Sequence, residues 1–227
     1  MKLLYLIKTC CFLLILVILS VFQLTAQNDT FSTYYYQKLS LFKSLPDTPN
    51  EIIMLGNSIT DGGEWSELFQ NRNIKNRGIS GDITEGILYR LDEVTSSRPS
   101  KVFLLIGIND LARNIPADTV FQNICKIARS IHKISPETQM YVQSILPVNP
   151  EFTKFSNHIT KTPEILQINR KLEQWCKANK VNFINLFDSF AESQTNYLKP
   201  IFTNDGLHLT ANGYLKWAEI ISPLIEE

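Results

Sequence analysis

Five short apolar runs punctuate this chain, at 51–55, 73–76, 101–106, 140–146 and 181–186, and helical periodicity fills the stretches between them. That alternation constrains the fold more than any other feature. Short runs without a polar face need cover on both sides, and helices between successive strands supply it. The pattern predicts an α/β domain built on a parallel, doubly wound sheet of about five strands. Asp82 with Glu85 reads as a helix start, and Ile83, Ile87, Leu91 and Val94 then share one face. Val120, Ile124, Ile127 and Ile131 repeat the spacing, and Thr162-Pro163 opens a further helix carrying Ile165, Ile168, Leu172 and Cys176. A helix over about 31–44 precedes the first strand. A last one starts near Thr210 and buries Tyr214, Trp217, Ile221 and Leu224, with Pro223 expected to kink or end it.

Residues 1–26 are expected to lie outside this fold. Lys2 and Lys8 precede or flank an apolar run over 10–19, and Leu24-Thr25-Ala26 supplies small residues at its close. This is the pattern of a secretory signal peptide, with a retained membrane anchor as the rival, since the run approaches the ~20 residues that span a bilayer. Cleavage would leave 27–227 as one domain, secreted to the periplasm or beyond, with no stable membrane insertion. Such a length can bury roughly 70% of the unfolded chain's surface without disulfide staples. Cys125 and Cys176, both on apolar helix faces, are expected to remain free buried thiols. Lys+Arg and Asp+Glu both number 22. That balance gives no basic excess for nucleic acid, and no Lys/Arg run suits an anionic membrane surface.

In a parallel sheet, ligands collect at the carboxyl ends of the strands. Gly56-Asn57-Ser58 follows the first run, Asn76-Arg77-Gly78-Ile79-Ser80-Gly81-Asp82 the second, and Gly107-Ile108-Asn109-Asp110 the third. Asp205-Gly206-Leu207-His208 stands just before the last helix. Each alone is an ordinary turn sequence. Together they hold the parts of an acyl-transfer site. A serine hydroxyl needs an imidazole to take its proton, and the chain has three histidines. His132 lies within a helix and His158 in a polar loop over 149–161, where it could at most touch substrate. His208 alone has a carboxylate three residues before it, so Asp205 can fix the tautomer that leaves Nε2 as base. The oxyanion formed on attack needs donors already aimed at it; the Ser58 and Gly81 N–H groups and the Asn109 amide are the candidates.

These blocks resemble those of the SGNH hydrolases, the GDSL-type esterase and lipase superfamily. Its four blocks are a nucleophilic serine, an oxyanion glycine, an oxyanion asparagine in Gly-x-Asn, and a C-terminal Asp-x-x-His. Ser58, Gly81, Asn109 and Asp205/His208 match them in that order, over about residues 31–227. The stretches 76–82 and 205–214 are most similar to the platelet-activating-factor acetylhydrolase branch and the sialate O-acetylesterase-like bacterial proteins near it. The resemblance implies a three-layer, flavodoxin-like sheet and a catalytic set of Ser58, Asp205 and His208. Ser58, Gly81 and Asn109 would form the oxyanion hole. Where the family has Gly-Asp-Ser, this chain has Gly-Asn-Ser; that aspartate is not the triad acid, so Asn57 is expected to keep a turn and its local hydrogen bonds.

The chemistry implied is ester hydrolysis without a cofactor or metal. No His/Cys spacing suits zinc, and no Gly-x-x-x-x-Gly-Lys-Ser/Thr or Gly-x-Ser-x-Gly occurs. The leading expectation is a secreted acetylesterase acting on a small-molecule or glycan ester such as an O-acetylated sialic acid. Hydrolysis of lipid or thioester acyl groups, and O-acetyl transfer to an envelope polysaccharide, use the same parts. Trp65 is open between a pocket wall and a core aromatic. Tyr34, Tyr35 and Tyr36 are expected on a packed amphipathic helix.

Overall fold

The structure, a computed structural model, describes residues 30–226. The expected leader at 1–26 lies outside the described residues, so its fate rests on sequence alone. In chain order the elements are α1 (Thr33–Ser44), β1 (Ile52–Gly56), α2 (Ser58–Asp61), α3 (Trp65–Leu68), β2 (Ile74–Gly78), α4 (Thr84–Tyr89), α5 (Leu91–Thr95) and β3 (Lys101–Leu105). Then come α6 (Ile108–Ala112), α7 (Ala117–Ile134), β4 (Gln139–Gln143), α8 (Thr162–Asn179), β5 (Asn182–Ile184), α9 (Phe187–Phe190), a 3-10 turn (Pro200–Phe202) and α10 (Ala211–Glu226).

All strand pairs are parallel, in the order β2-β1-β3-β4-β5. Every residue of β1 and β3 is buried, as their unbroken apolar runs require. Helices α4, α5 and α8 pack against α7, while Trp65 of α3 meets Trp217 of α10 edge to face at 4.7 Å. The chain runs outward from β1 to β2 and then back across to β3, β4 and β5. The direction reverses between β1 and β3, and the crevice beyond their carboxyl ends is where such sheets place a site.

The elements depart from the expected pattern in several places, each for a local reason. The single helix expected from Asp82 breaks at Arg90, between α4 and α5. The fully buried Arg90 side chain turns inward, donating to the Arg77 carbonyl at 2.8 Å and to Asp82 Oδ2 at 3.0 Å. Asp82 pairs with Arg90 through Oδ2 while its Oδ1 accepts the Ile83 N–H at 2.9 Å; Ile83 is the cap residue, and Asp110 accepts the next N–H, that of Thr84, at 3.1 Å. The fourth strand ends at Gln143 because the Asn169 amide of α8 occupies both the N–H (2.8 Å) and C=O (2.9 Å) of Ile145. The fifth stops at Ile184, where the chain turns into α9 and Phe187 N–H donates to Ser144 Oγ at 2.9 Å. Pro223 does not end α10, which runs on to Glu226. Ile225 rather than Leu224 is buried there, and Lys101 Nζ donates to the Leu224 carbonyl at 2.6 Å.

Cys125 and Cys176 are free and buried. Burial pushes their thiols up, to about 11 and about 12, which keeps them protonated and unreactive. Trp65 is a core aromatic, 1% exposed, its indole N–H donating to the Thr60 carbonyl at 2.8 Å. Tyr35 packs inside with its hydroxyl on the Gly86 carbonyl, whereas Tyr34 is 41% exposed and reaches Asp61 Oδ2 at 2.9 Å.

Candidate active site

Ser58 begins the one-turn helix α2 directly after β1. Asn57 caps that turn, its Oδ1 accepting the Ile59 N–H at 3.0 Å, a bond typically worth about 1 kcal/mol. The Gly-Asn-Ser sequence therefore keeps its turn with a neutral residue at 57. Tyr214 of α10 donates to the Ile59 carbonyl at 2.9 Å and ties α2 to the helix that follows the candidate base.

His208 arrives from the far end of the chain, and its Nε2 lies 3.0 Å from Ser58 Oγ. Its Nδ1 lies 2.9 Å from Asp205 Oδ2. An ionised carboxylate only accepts, so Nδ1 carries the proton and Nε2 turns its lone pair toward the hydroxyl. Asp205 Oδ1 accepts two further N–H bonds, from Leu207 at 2.9 Å and His208 at 2.7 Å. Burial alone would push this carboxyl up; those backbone donors and the imidazole outweigh it and hold Asp205 below the usual range.

Gly81 sits in a left-handed turn with φ of 79°, beyond β2. Neither its N–H nor that of Ser58 has a hydrogen-bond partner among the described residues. Two side chains grip the turn: Ser80 Oγ donates to Asp61 Oδ2 at 2.8 Å, and Arg113 Nη2 donates to the Gly81 carbonyl at 2.9 Å. Asn109 lies in the first turn of α6, which a positive φ at Gly107 starts abruptly after β3. Asn109 Nδ2 donates to the Asp82 carbonyl at 2.8 Å, which leaves its second proton free. Below, Asp110 grips both the N–H and hydroxyl of Thr84, and Asn123 donates to that hydroxyl at 2.9 Å. Burial raises the carboxyls of Asp110 and Asp82, the latter pushed up to about 6 against the pull of Arg90.

Of the five residues expected from the sequence, Ser58, His208 and Asp205 are joined by hydrogen bonds, while Gly81 and Asn109 stand on the turns beyond β2 and β3 that flank β1; the arrangement can activate a serine and offer N–H donors to an oxyanion. Sequence reasoning allowed His158 at most a substrate contact and missed its tie to Asn109. Its Nε2 lies 3.0 Å from Asn109 Oδ1, and the Phe155 ring stands edge to face against both His158 and His208, at 5.8 and 4.9 Å. A polar loop gives no periodicity to signal such a contact. His132 is exposed on α7, remote from this crevice at the other end of the sheet. Among the described residues no cluster of His, Cys, Asp and Glu suits a metal ion.

A parallel 2-1-3-4-5 sheet with Ser58, His208 and Asp205 gathered at its switch point has the flavodoxin-like architecture of the SGNH hydrolases. The family profile described as GDSL-like Lipase/Acylhydrolase matches residues 54–216, and the chain belongs to that family. It is 25% identical over 191 residues to the rat (Rattus norvegicus) platelet-activating factor acetylhydrolase IB subunit alpha2, covering 80% of each chain. It is also similar to a solved structure of a platelet activating factor protein from Streptococcus pneumonia, with 29% identity and a TM-score of 0.75 over 93% of this chain and 98% of that one. A GDSL-like lipase from Bacteroides thetaiotaomicron matches with 27% identity and a TM-score of 0.74, over 85% and 97% of the two chains.

Proposed function

We propose that this protein is an exported serine acetylesterase whose substrate is a polar ester, an O-acetylated acidic sugar such as sialic acid. The observation that carries the chemistry is the hydrogen-bonded chain Ser58 Oγ–His208–Asp205, at 3.0 and 2.9 Å. Ser58 Oγ attacks the ester carbonyl as its proton passes to His208 Nε2. The Ser58 and Gly81 N–H groups and the free Asn109 Nδ2–H receive the developing oxyanion. His208 then protonates the departing alcohol, leaving Ser58 acylated. Water attacks the acyl-enzyme with His208 again as base, releasing acetate and restoring the hydroxyl.

The rim of the crevice supports the substrate class. Arg113, at the Gly81 carbonyl, is exposed and has no carboxylate within 4 Å among the described residues. The Lys154 ammonium lies over the Phe155 ring, 5.7 Å from its centre, and Lys161, paired with Glu164 at 3.9 Å, donates to Asn114 at 3.1 Å. Cations and amides at the mouth favour a hydrophilic anion over a long acyl chain, which would need an apolar channel. The relatives named acetylhydrolases are consistent with a short acyl group. Export rests on the leader pattern of 1–26.

The test is an ester panel on wild type and Ser58→Ala: acetyl, butyryl and octanoyl esters of one chromophore, together with O-acetylated sialic acid. Acetyl preference and Ser58-dependent deacetylation of the sugar are expected. Octanoyl preference would replace the reading with lipid acyl hydrolysis, and an acetylated product on added sugar acceptor would replace it with transfer. Cell fractionation is expected to find the chain outside the cytoplasm with 1–26 removed.

A further inference from the structure

Asn109 presents its amide to the crevice held at both ends. The donor at 2.8 Å from the Asp82 carbonyl must be Nδ2, because two carbonyl oxygens cannot bond each other. Oδ1 is thereby turned toward His158 Nε2, 3.0 Å away. A carboxamide oxygen only accepts, so the imidazole must donate, and Nε2 carries its proton. Given the esterase reading above, we infer that His158 is a positioning residue: it holds the Asn109 amide so that its second Nδ2–H stays aimed at the oxyanion.

An amide fixed only at Nδ2 can rock about its last torsion, a broad and soft one for Asn. The second bond at Oδ1 removes that freedom before substrate arrives, which is what preorganised stabilisation requires. Accepting at Oδ1 also polarises the amide and strengthens its N–H as a donor. Burial, with His208 and Arg113 nearby, holds the His158 imidazole below its ordinary range, so the ring is neutral near pH 7. The loop that carries it is itself anchored. Asn149 N–H donates to the Gly206 carbonyl at 2.9 Å, and His158 N–H to the Phe155 carbonyl at 2.8 Å. The turn bearing Asp205 and His208 therefore reaches the oxyanion donor through this loop.

The experiment measures kcat and KM on a small acetyl ester for wild type, His158→Leu, His158→Gln, Asn109→Ala and the His158→Leu/Asn109→Ala double variant. Nitrogen-15 histidine NMR of the wild type accompanies it. His158→Leu is expected to lower kcat about tenfold, the worth of one buried hydrogen bond, with KM within about twofold. Glutamine, whose Nε2–H reaches a similar point, restores most of the loss. In the Asn109→Ala background His158→Leu costs no more than about twofold further, since the group it positions is gone. The NMR spectrum shows neutral His158 with the proton on Nε2. Losses that multiply in the double variant, an effect confined to KM, or an Nδ1–H tautomer would overturn the inference. If the leucine variant misfolds, His158→Gln and His158→Glu decide it. Glutamate sets an acceptor against Oδ1, so equal activity of these two excludes a positioning donor. Failure of this inference alone leaves Ser58-dependent turnover intact; failure of the esterase reading shows as a wild type that Ser58→Ala does not change.

Discussion

Asp61 accepts the Ser80 hydroxyl at 2.8 Å, so the last residue of the turn that begins with Ser58 also holds the turn that presents Gly81. The same carboxylate takes Lys38 at 2.7 Å and Tyr34 at 2.9 Å. Burial would raise it, yet Lys38, Ser80 and Tyr34 together hold it below its usual range and keep it ionised. Ser80→Ala is expected to lower kcat several-fold, about the worth of one hydrogen bond, while KM moves little. Steady-state kinetics on a small ester check this, and an unchanged kcat would show that the Gly81 turn stands without Asp61.

Ser58→Ala and His208→Ala are each expected to abolish nearly all turnover, and the double variant to be little worse. Nucleophile and base act as a unit across their 3.0 Å contact. Single losses that multiplied would show that the two residues work independently.

Asn109→Ala should lower kcat by roughly 10²-fold and leave KM within a few-fold, because its contact tightens only as charge develops. Asn109→Asp should be worse, setting a carboxylate toward the oxyanion and toward the Asp82 carbonyl. Full turnover with weakened binding in the alanine variant would make Asn109 a substrate contact instead.

Gly81→Ala separates strain from crowding. A Cβ there meets nothing within 4 Å, so steric clash with the protein is not the cost. The cost is the left-handed φ of 79°, roughly 1–2 kcal/mol for a residue with a side chain. Thermal denaturation should report a destabilisation of that size. Kinetics should report a larger relative loss of kcat, because the turn relaxes by tilting the N–H.

Asp205 links the site to acid stability. Its folded carboxyl lies below the ordinary value near 3.9, so the native state binds its proton less readily than the unfolded chain. The stabilisation is present in full above about pH 4 and is lost as pH falls through the lowered folded value. Chemical denaturation of wild type and Asp205→Asn across pH 2–7 should give a gap that is constant near neutrality and closes in acid. A gap that widened in acid would contradict the direction.

The strands and the positions of the five candidate residues at their carboxyl ends were legible because each depends on local sequence: apolar runs for β1 and β3, tight turns for the motifs. Boundaries failed where a distant side chain intervened, as Asn169 does at Ile145 and Arg90 does beneath β1 and β2. The Asp82 cap failed for the same reason, since Asp110, twenty-six residues from Thr84, supplies the acceptor. The tie of His158 to Asn109 was illegible because only tertiary packing brings residue 158 to residue 109.

The ion pair of Arg90 with Asp82 is wholly sealed from solvent, and Arg90 also grips the Arg77 carbonyl at the end of β2. The loops bearing Ser58 and Gly81 therefore sit on a rigid foundation, whereas Phe155, Lys154 and His158 ride on a surface loop above it. Divergence can work on the two halves at different speeds. Exchanging the exposed residues of loop 149–161 would alter the mouth without retuning the reacting centre only while Asn149 keeps the Gly206 carbonyl, Phe155 stays against His208 and position 158 still offers a donor to Asn109. The loop is then a detachable fitting, and residues 149, 155 and 158 are the threaded ends that must match.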